Sequence, residues 1–171
     1  MNRNTIILIA SFAVLIPLQI FVFQNFVFFN LGFCFIYLLF LLSLPLETSI
    51  IAGMCIALVT GLLIDIFYQT LGIHAAAGVF MMFLKPYWLK LNVPRSGYEA
   101  GRLPLIREYG LGWFIFYALP LILVYTLAVL FIEAGNSALF WLILSKALVT
   151  TLVTLLFIIV SQYIFYPKSK Y

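Results

Sequence analysis

The chain reads as long apolar runs separated by short polar breaks, and the lengths of those runs decide its class. A helix needs about 20 mostly apolar residues to cross roughly 30 Å of hydrocarbon. Runs of that kind lie at about 5–23, 26–44, 48–68, 72–89, 113–132 and 139–166, which predicts about six transmembrane helices. Pro17 predicts a kink in the first run, which reads as an uncleaved span because no small-residue cleavage site closes it. Gln24-Asn25 breaks the chain before the second run, and Asn30-Leu31-Gly32 leaves the start of that run open. Pro45-Leu46-Glu47 ends it. The fourth run is short and is closed by Lys85-Pro86, so residues 85–112 form the one sizeable polar loop. The sixth is longer than one crossing needs and is expected to tilt or protrude.

Stretches such as Phe33 to Leu42 are apolar on every side. A barrel strand would alternate apolar and polar residues. Only a helix satisfies its own backbone in such a segment. The expected fold is therefore an all-α, polytopic integral membrane helical bundle, a single transmembrane domain across 1–171.

Composition strengthens this reading. Apolar residues make up 66% of the chain and charged residues 8%, with a mean hydropathy of +1.22. Soluble domains carry about 25% charged residues. The net charge of +4 comes from scattered Lys and Arg rather than a basic face, which argues against a nucleic-acid partner and leaves membrane lipid as the surrounding medium. With the N-terminus in the cytoplasm, six crossings place Arg3, the basic loop (Lys85, Lys90, Arg95, Arg102, Arg107) and the tail (Lys168, Lys170) on the inner side. That distribution satisfies the positive-inside rule and predicts a multi-pass protein with both termini cytoplasmic. Trp88, Trp113 and Trp141 fall near the predicted span ends, as an aromatic belt requires. The basic loop, interleaved with Tyr87, Trp88, Tyr98 and Tyr109, reads either as a lipid-facing loop or as a docking surface for a cytoplasmic partner.

Few residues offer chemistry. Asp65 ends the third run, and Gly53, Ala57 and Gly61 precede it at intervals of four. That spacing is a stripe of small residues against which another helix can pack closely. It predicts that Asp65 points into the bundle as an intramembrane contact or anchor, the alternative being a solvated helix end. Lys146, a cation within the sixth run, lies about 10 Å deep at 1.5 Å per residue. It is expected either to pair with Asp65 or to snorkel to the headgroups. Gly72, Ala75, Ala76, Ala77 and Gly78 make the start of the fourth run equally small, so the third and fourth runs should form a tight hairpin. His74 is the only histidine, and no Cys, Asp or Glu stands at a supporting spacing, so a structural hydrogen bond is favoured over proton transfer and no metal site is expected. Cys34 and Cys55 read as buried thiols without a disulfide or metal role. Nucleophile-elbow, P-loop and zinc-protease motifs are all missing, so no catalytic or cofactor-binding residues are expected.

The stretch Gly61-Leu62-Leu63-Ile64-Asp65, followed by Leu71-Gly72-Ile73-His74-Ala75, resembles the signature of the bacterial rod shape-determining protein MreD family. Chain length, span number and the break at Pro45 are similar as well. The resemblance implies a non-catalytic scaffold of the cell-elongation machinery in the bacterial inner membrane. It implies binding to an MreC-like single-span protein, and links to an MreB-like actin homologue and to peptidoglycan synthases. It also implies a fold similar to the substrate-binding subunits of energy-coupling-factor vitamin transporters. A rival reading is a transporter subunit that captures a small molecule near the outer face, around Asp65, Tyr68, His74 and Lys146.

Overall fold

The computed structural model describes residues 3–25, 32–94, 97–98, 102–135 and 140–165. Arg95, Glu99, Lys168, Lys170 and the 26–31 part of the second run lie outside the described residues. The helices are α1 (Arg3–Phe21), α2 (Leu38–Leu42), α3 (Ile50–Tyr68), α4 (Ile73–Leu91), α5 (Ile106–Tyr109), α6 (Leu111–Ala134) and α7 (Phe140–Phe165), and no strand occurs among the described residues. The chain is an all-α helical membrane bundle.

Among the described residues, four helices are long and apolar enough to cross a bilayer: Asn4–Phe21, Ile50–Tyr68, Leu111–Ala134 and Phe140–Ile164. This corrects the expected six. α4 equals α3 in length at 19 residues, but His74, Lys85, Pro86 and Lys90 make it less apolar. It runs to Leu91, close to the expected end at 89, and takes in Lys85 and Pro86, which the sequence also assigned to the loop. The polar loop is correspondingly shorter than 85–112, and short α5 lies within it.

The second run departs most from expectation. Among its described residues it holds only the five-residue α2, preceded by non-helical backbone at Phe33–Phe35. This segment lies at the centre of the bundle, and Tyr37, Leu38, Leu39, Leu41 and Leu42 are fully buried. It passes from the level where α3 ends to the level of Lys85 near the end of α4.

The turns around α2 satisfy part of its backbone, from Leu38 N–H to Phe35 through Leu44 N–H to Leu41, and neighbouring side chains satisfy groups on either side. Thr150 and Thr154 of α7 each accept a bond through Oγ1, from Phe33 N–H and Phe35 N–H, at 3.1 Å each. Gln19 of α1 donates to the Cys34 carbonyl at 2.9 Å and accepts from Tyr37 N–H at 3.4 Å. Below α2, Lys85 Nζ donates to the carbonyls of Leu41, Leu42 and Leu44 at 3.2, 3.4 and 3.0 Å. Tyr117 adds a bond to Leu42 at 2.9 Å. Irregular backbone at membrane depth is tolerated only when protein encloses it in this way.

Around this centre the long helices pack in the order α3, α4, α6, α7, and α1 lies against α2 and α3. Gln24 donates to the Phe67 carbonyl at 2.9 Å, which brings the ends of α1 and α3 together. The end where α3 begins and α4 stops carries Glu47, Lys85, Lys90, Arg102, Arg107 and Glu108 among the described residues, and the opposite end carries Asp65, Glu133 and Lys146. Trp113 donates to the Asn92 carbonyl at 2.9 Å, tying the start of α6 to the end of α4. Cys34 is buried, but Cys55 is exposed on the outer side of α3, contrary to its expected burial; the stripe of small residues, not the cysteine, faces α4.

The threonine contacts make a sharp prediction. Thr154→Val leaves Phe35 N–H buried without an acceptor and is expected to lower stability by about 1–3 kcal/mol. Thr154→Ser keeps the hydroxyl and should lose much less. Denaturation of the purified chain in detergent measures both; equal losses would contradict the assignment.

Candidate functional site

The hairpin of α3 and α4 begins with a glycine. A Cβ at Gly61 would stand 2.4 Å from Ala75 Cα and 2.6 Å from its backbone nitrogen. The first turn of α4 therefore rests directly on the α3 backbone. One turn later this contact delivers Asp65 to the unpaired N–H groups at the α4 N-terminus. Asp65 Oδ1 accepts from His74 N–H and Oδ2 from Ala75 N–H, both at 3.0 Å. The Thr70 hydroxyl donates to Oδ1 as well. A carboxylate from the preceding helix thus caps α4 and meets the positive end of its dipole.

The connection is tight enough to need a left-handed residue at each side. Gln69 closes α3 at φ 57° and Gly72 opens α4 at φ 81°. Gly78 continues the close packing with Ala57 Cβ 3.6 Å from where its own Cβ would lie, and Gly53 faces the flexible end of Met82.

Lys146 does not join this group. No ion pair links it to Asp65, because α4 and α6 stand between α3 and α7. The neighbouring Ala147, not Lys146, packs into the cluster with Leu130 and Ile143 at the α6–α7 contact. The expected pairing is corrected: Asp65 is satisfied by backbone donors on α4, and Lys146 is half-buried on α7.

His74 is buried, and its ring lies edge-on to Phe35 at 5.4 Å and to Tyr68 at 5.1 Å between centroids. Its Nδ1 lies 2.6 Å from the Tyr125 hydroxyl, which in turn lies 2.6 Å from the Tyr37 hydroxyl. Gln19 donates to the Tyr68 hydroxyl at 2.6 Å. Phe35, Tyr68 and His74 of this group line a cavity of about 140 Å³ together with Phe33, Thr70, Glu133 and the apolar Ile73, Val129 and Leu130. Asp65 and Lys146 are not in its lining.

Sequence reasoning did not single out Gln19, Tyr37, Lys85, Tyr125, Thr150 or Thr154. The signal available was polarity inside apolar runs, strongest in Thr150-Thr151 with Thr154 one turn on. Lys85 escaped notice because Pro86 assigned it to a loop.

At the other end of the bundle, the loop folds onto itself. The Tyr98 hydroxyl lies 2.9 Å from the carbonyls of Leu89 and Asn92. Burial pushes its phenol up to about 12, with neighbouring Tyr109 adding to the shift, so it remains a donor at physiological pH. Arg107 and Arg102 approach Glu108 at 2.9 and 3.9 Å. Ile106 N–H donates to Gln162 Oε1 at 2.8 Å and ties the loop to α7.

Among the described residues, no three His, Cys, Asp or Glu side chains converge as a metal site. Comparison of the chain with protein-family models, characterised proteins and solved structures gave no match.

Two outcomes follow for the hairpin. Gly61→Ala places a methyl into backbone and is expected to cost about 1–3 kcal/mol, as overpacking does, whereas Gly78→Ala should be nearly neutral. Asp65→Ala removes the cap of α4 and should cost about 0.5–2 kcal/mol. Combined with Lys146→Met, its effect should be additive within about 0.5 kcal/mol. A larger coupling energy in the double-mutant cycle would restore the ion pair.

Proposed function

We propose that the protein is a non-catalytic scaffold of the bacterial cell-elongation machinery. In this reading it lies in the inner membrane with both termini in the cytoplasm, and it binds an MreC-like single-span protein. Through that partner it connects to an MreB-like actin homologue and to peptidoglycan synthases. The reading starts from the resemblance of Gly61–Asp65 and Leu71–Ala75 to the MreD signature.

The observation that carries it is the work those residues do. Gly61, Asp65, Gly72 and the His74 backbone are committed to building the α3–α4 hairpin. A signature made of close contacts and a helix cap specifies a shape rather than a reaction. Partners in the membrane meet the outside of that shape, where α3 exposes Ile51, Val59 and Ile66 and α7 exposes Leu152 and Leu156. A single-span helix packs on such a face through van der Waals contact.

The vitamin-transporter reading has less support. Its expected pocket joined Asp65, Tyr68, His74 and Lys146; Tyr68 and His74 line the cavity, but Asp65 and Lys146 do not. At about 140 Å³ the cavity is also well below the ~300–1,000 Å³ of pockets that enclose drug-sized ligands.

Co-expression of the full chain with an MreC-like protein, followed by detergent extraction and affinity purification, tests the proposal. The two are expected to elute together in a fixed ratio. Elution of the chain alone would sink the scaffold reading.

A further inference from the structure

Hydrogen-bond accounting around the cavity fixes which atoms face an occupant. Tyr37 is fully buried, and its hydroxyl has Tyr125 as its one partner among the described residues. A buried O–H left without an acceptor costs about 1–3 kcal/mol, so Tyr37 donates to Tyr125. Tyr125 must then donate its own proton to His74 Nδ1. An accepting Nδ1 places the ring proton on Nε2. That Nε2–H has no acceptor among the described residues, and His74 lines the cavity.

Gln19 fixes a second donor in the same way. Its Oε1 accepts from Tyr37 N–H, so its Nε2 faces the Cys34 carbonyl and the Tyr68 hydroxyl. Tyr68 oxygen therefore accepts from Gln19, and its own proton has no acceptor among the described residues. His74 and Tyr68 are neighbours, with ring centroids 5.1 Å apart. Both line the cavity, and each carries a donor proton that has no acceptor among the described residues.

The rim carries the opposite chemistry. Glu133, in the last turn of α6, lines the same cavity, is exposed, and makes no ion pair among the described residues. Phe33 and Phe35 supply aromatic faces, which attract cations. The cavity thus favours an oxygen anion at His74 and Tyr68 and a cation beside Glu133. A cavity of about 150 Å³ holds a ligand the size of benzene, so the occupant is a small zwitterionic group. The cavity lies where α3 ends and α4 begins, at the end of the bundle where headgroups sit, and Leu71 beside it is fully exposed.

We infer that this cavity binds a phosphoethanolamine group, with a phosphate oxygen at His74 Nε2–H and Tyr68 O–H and the ammonium at Glu133. The group is carried by a phospholipid or arrives as the free headgroup. The site stands independently of the partner assignment above.

The test uses the full chain in nanodiscs. Native mass spectrometry compares retention of phosphatidylethanolamine with that of phosphatidylglycerol. Calorimetry with soluble phosphoethanolamine, on chains in phosphatidylglycerol discs, distinguishes the free source from the lipid one. Preferential retention of phosphatidylethanolamine assigns the lipid; calorimetric binding without it assigns the soluble headgroup. In either case Glu133→Gln, at an exposed position with no hydrogen bond to lose, should weaken binding about tenfold, and Tyr68→Phe should weaken it similarly. Equal retention of both lipids together with no calorimetric binding overturns the inference. So does a correctly folded Glu133→Gln protein that binds as well as the parent.

Discussion

A backbone that is not helical must still find partners for its N–H and C=O groups when lipid surrounds the protein, and the segment from Phe33 to Leu44, helical only over Leu38–Leu42, imposes that demand here. Each such group left unpaired in hydrocarbon costs several kcal/mol. The bundle answers with donors and acceptors from α1, α4, α6 and α7: Gln19, Lys85, Tyr117, Thr150 and Thr154. The geometry of the threonine contacts has a simple origin. Alternate N–H groups of extended chain point the same way about 6.6 Å apart, and residues four apart on a helix rise about 6 Å. Thr150 and Thr154 therefore meet Phe33 and Phe35 in register. Of the long helices, α1, α4, α6 and α7 each present a polar side chain to this one interior segment.

The α3–α4 hairpin obeys a different rule, close approach of small residues. Gly61 removes the side chain that would hold the helices apart, and Asp65 then reaches the start of α4. The same hairpin places His74 in its first turn, where the ring meets Tyr125 and borders the cavity. One packing device thus sets both the helix cap and the chemistry of the cavity wall. The carboxylate itself stays out of the cavity, which leaves Glu133 as the acidic group there.

Local features of the sequence were legible, and long-range ones were not. Uninterrupted apolar runs located α1, α3, α6 and α7, and the small residues from Gly53 to Gly78 pointed to the hairpin. The second run misled because a segment buried on all sides is apolar all round whether it is helical or extended. Hydropathy carries no information on which. Pro86 misled because a helix enclosed by neighbours tolerates proline, so Lys85 was read as loop when it is a buried donor to three carbonyls. The pairing of Asp65 with Lys146 rested on similar depth. Depth is one coordinate, and the lateral order of helices, set by α4 and α6, is another. The Tyr37–Tyr125–His74 chain joins residues 88 and 51 positions apart, beyond anything spacing can reveal.

The contacts from Phe33 to Thr150 and from Phe35 to Thr154 span 117 and 119 residues. A ribosome delivers the early segment long before the threonines that complete it. Until α7 enters the bilayer, the central stretch has to shelter against Gln19 or in a translocation channel. Maturation of this protein is consequently a closing event governed by α7, and a chain interrupted ahead of residue 150 would leave its own middle unfinished.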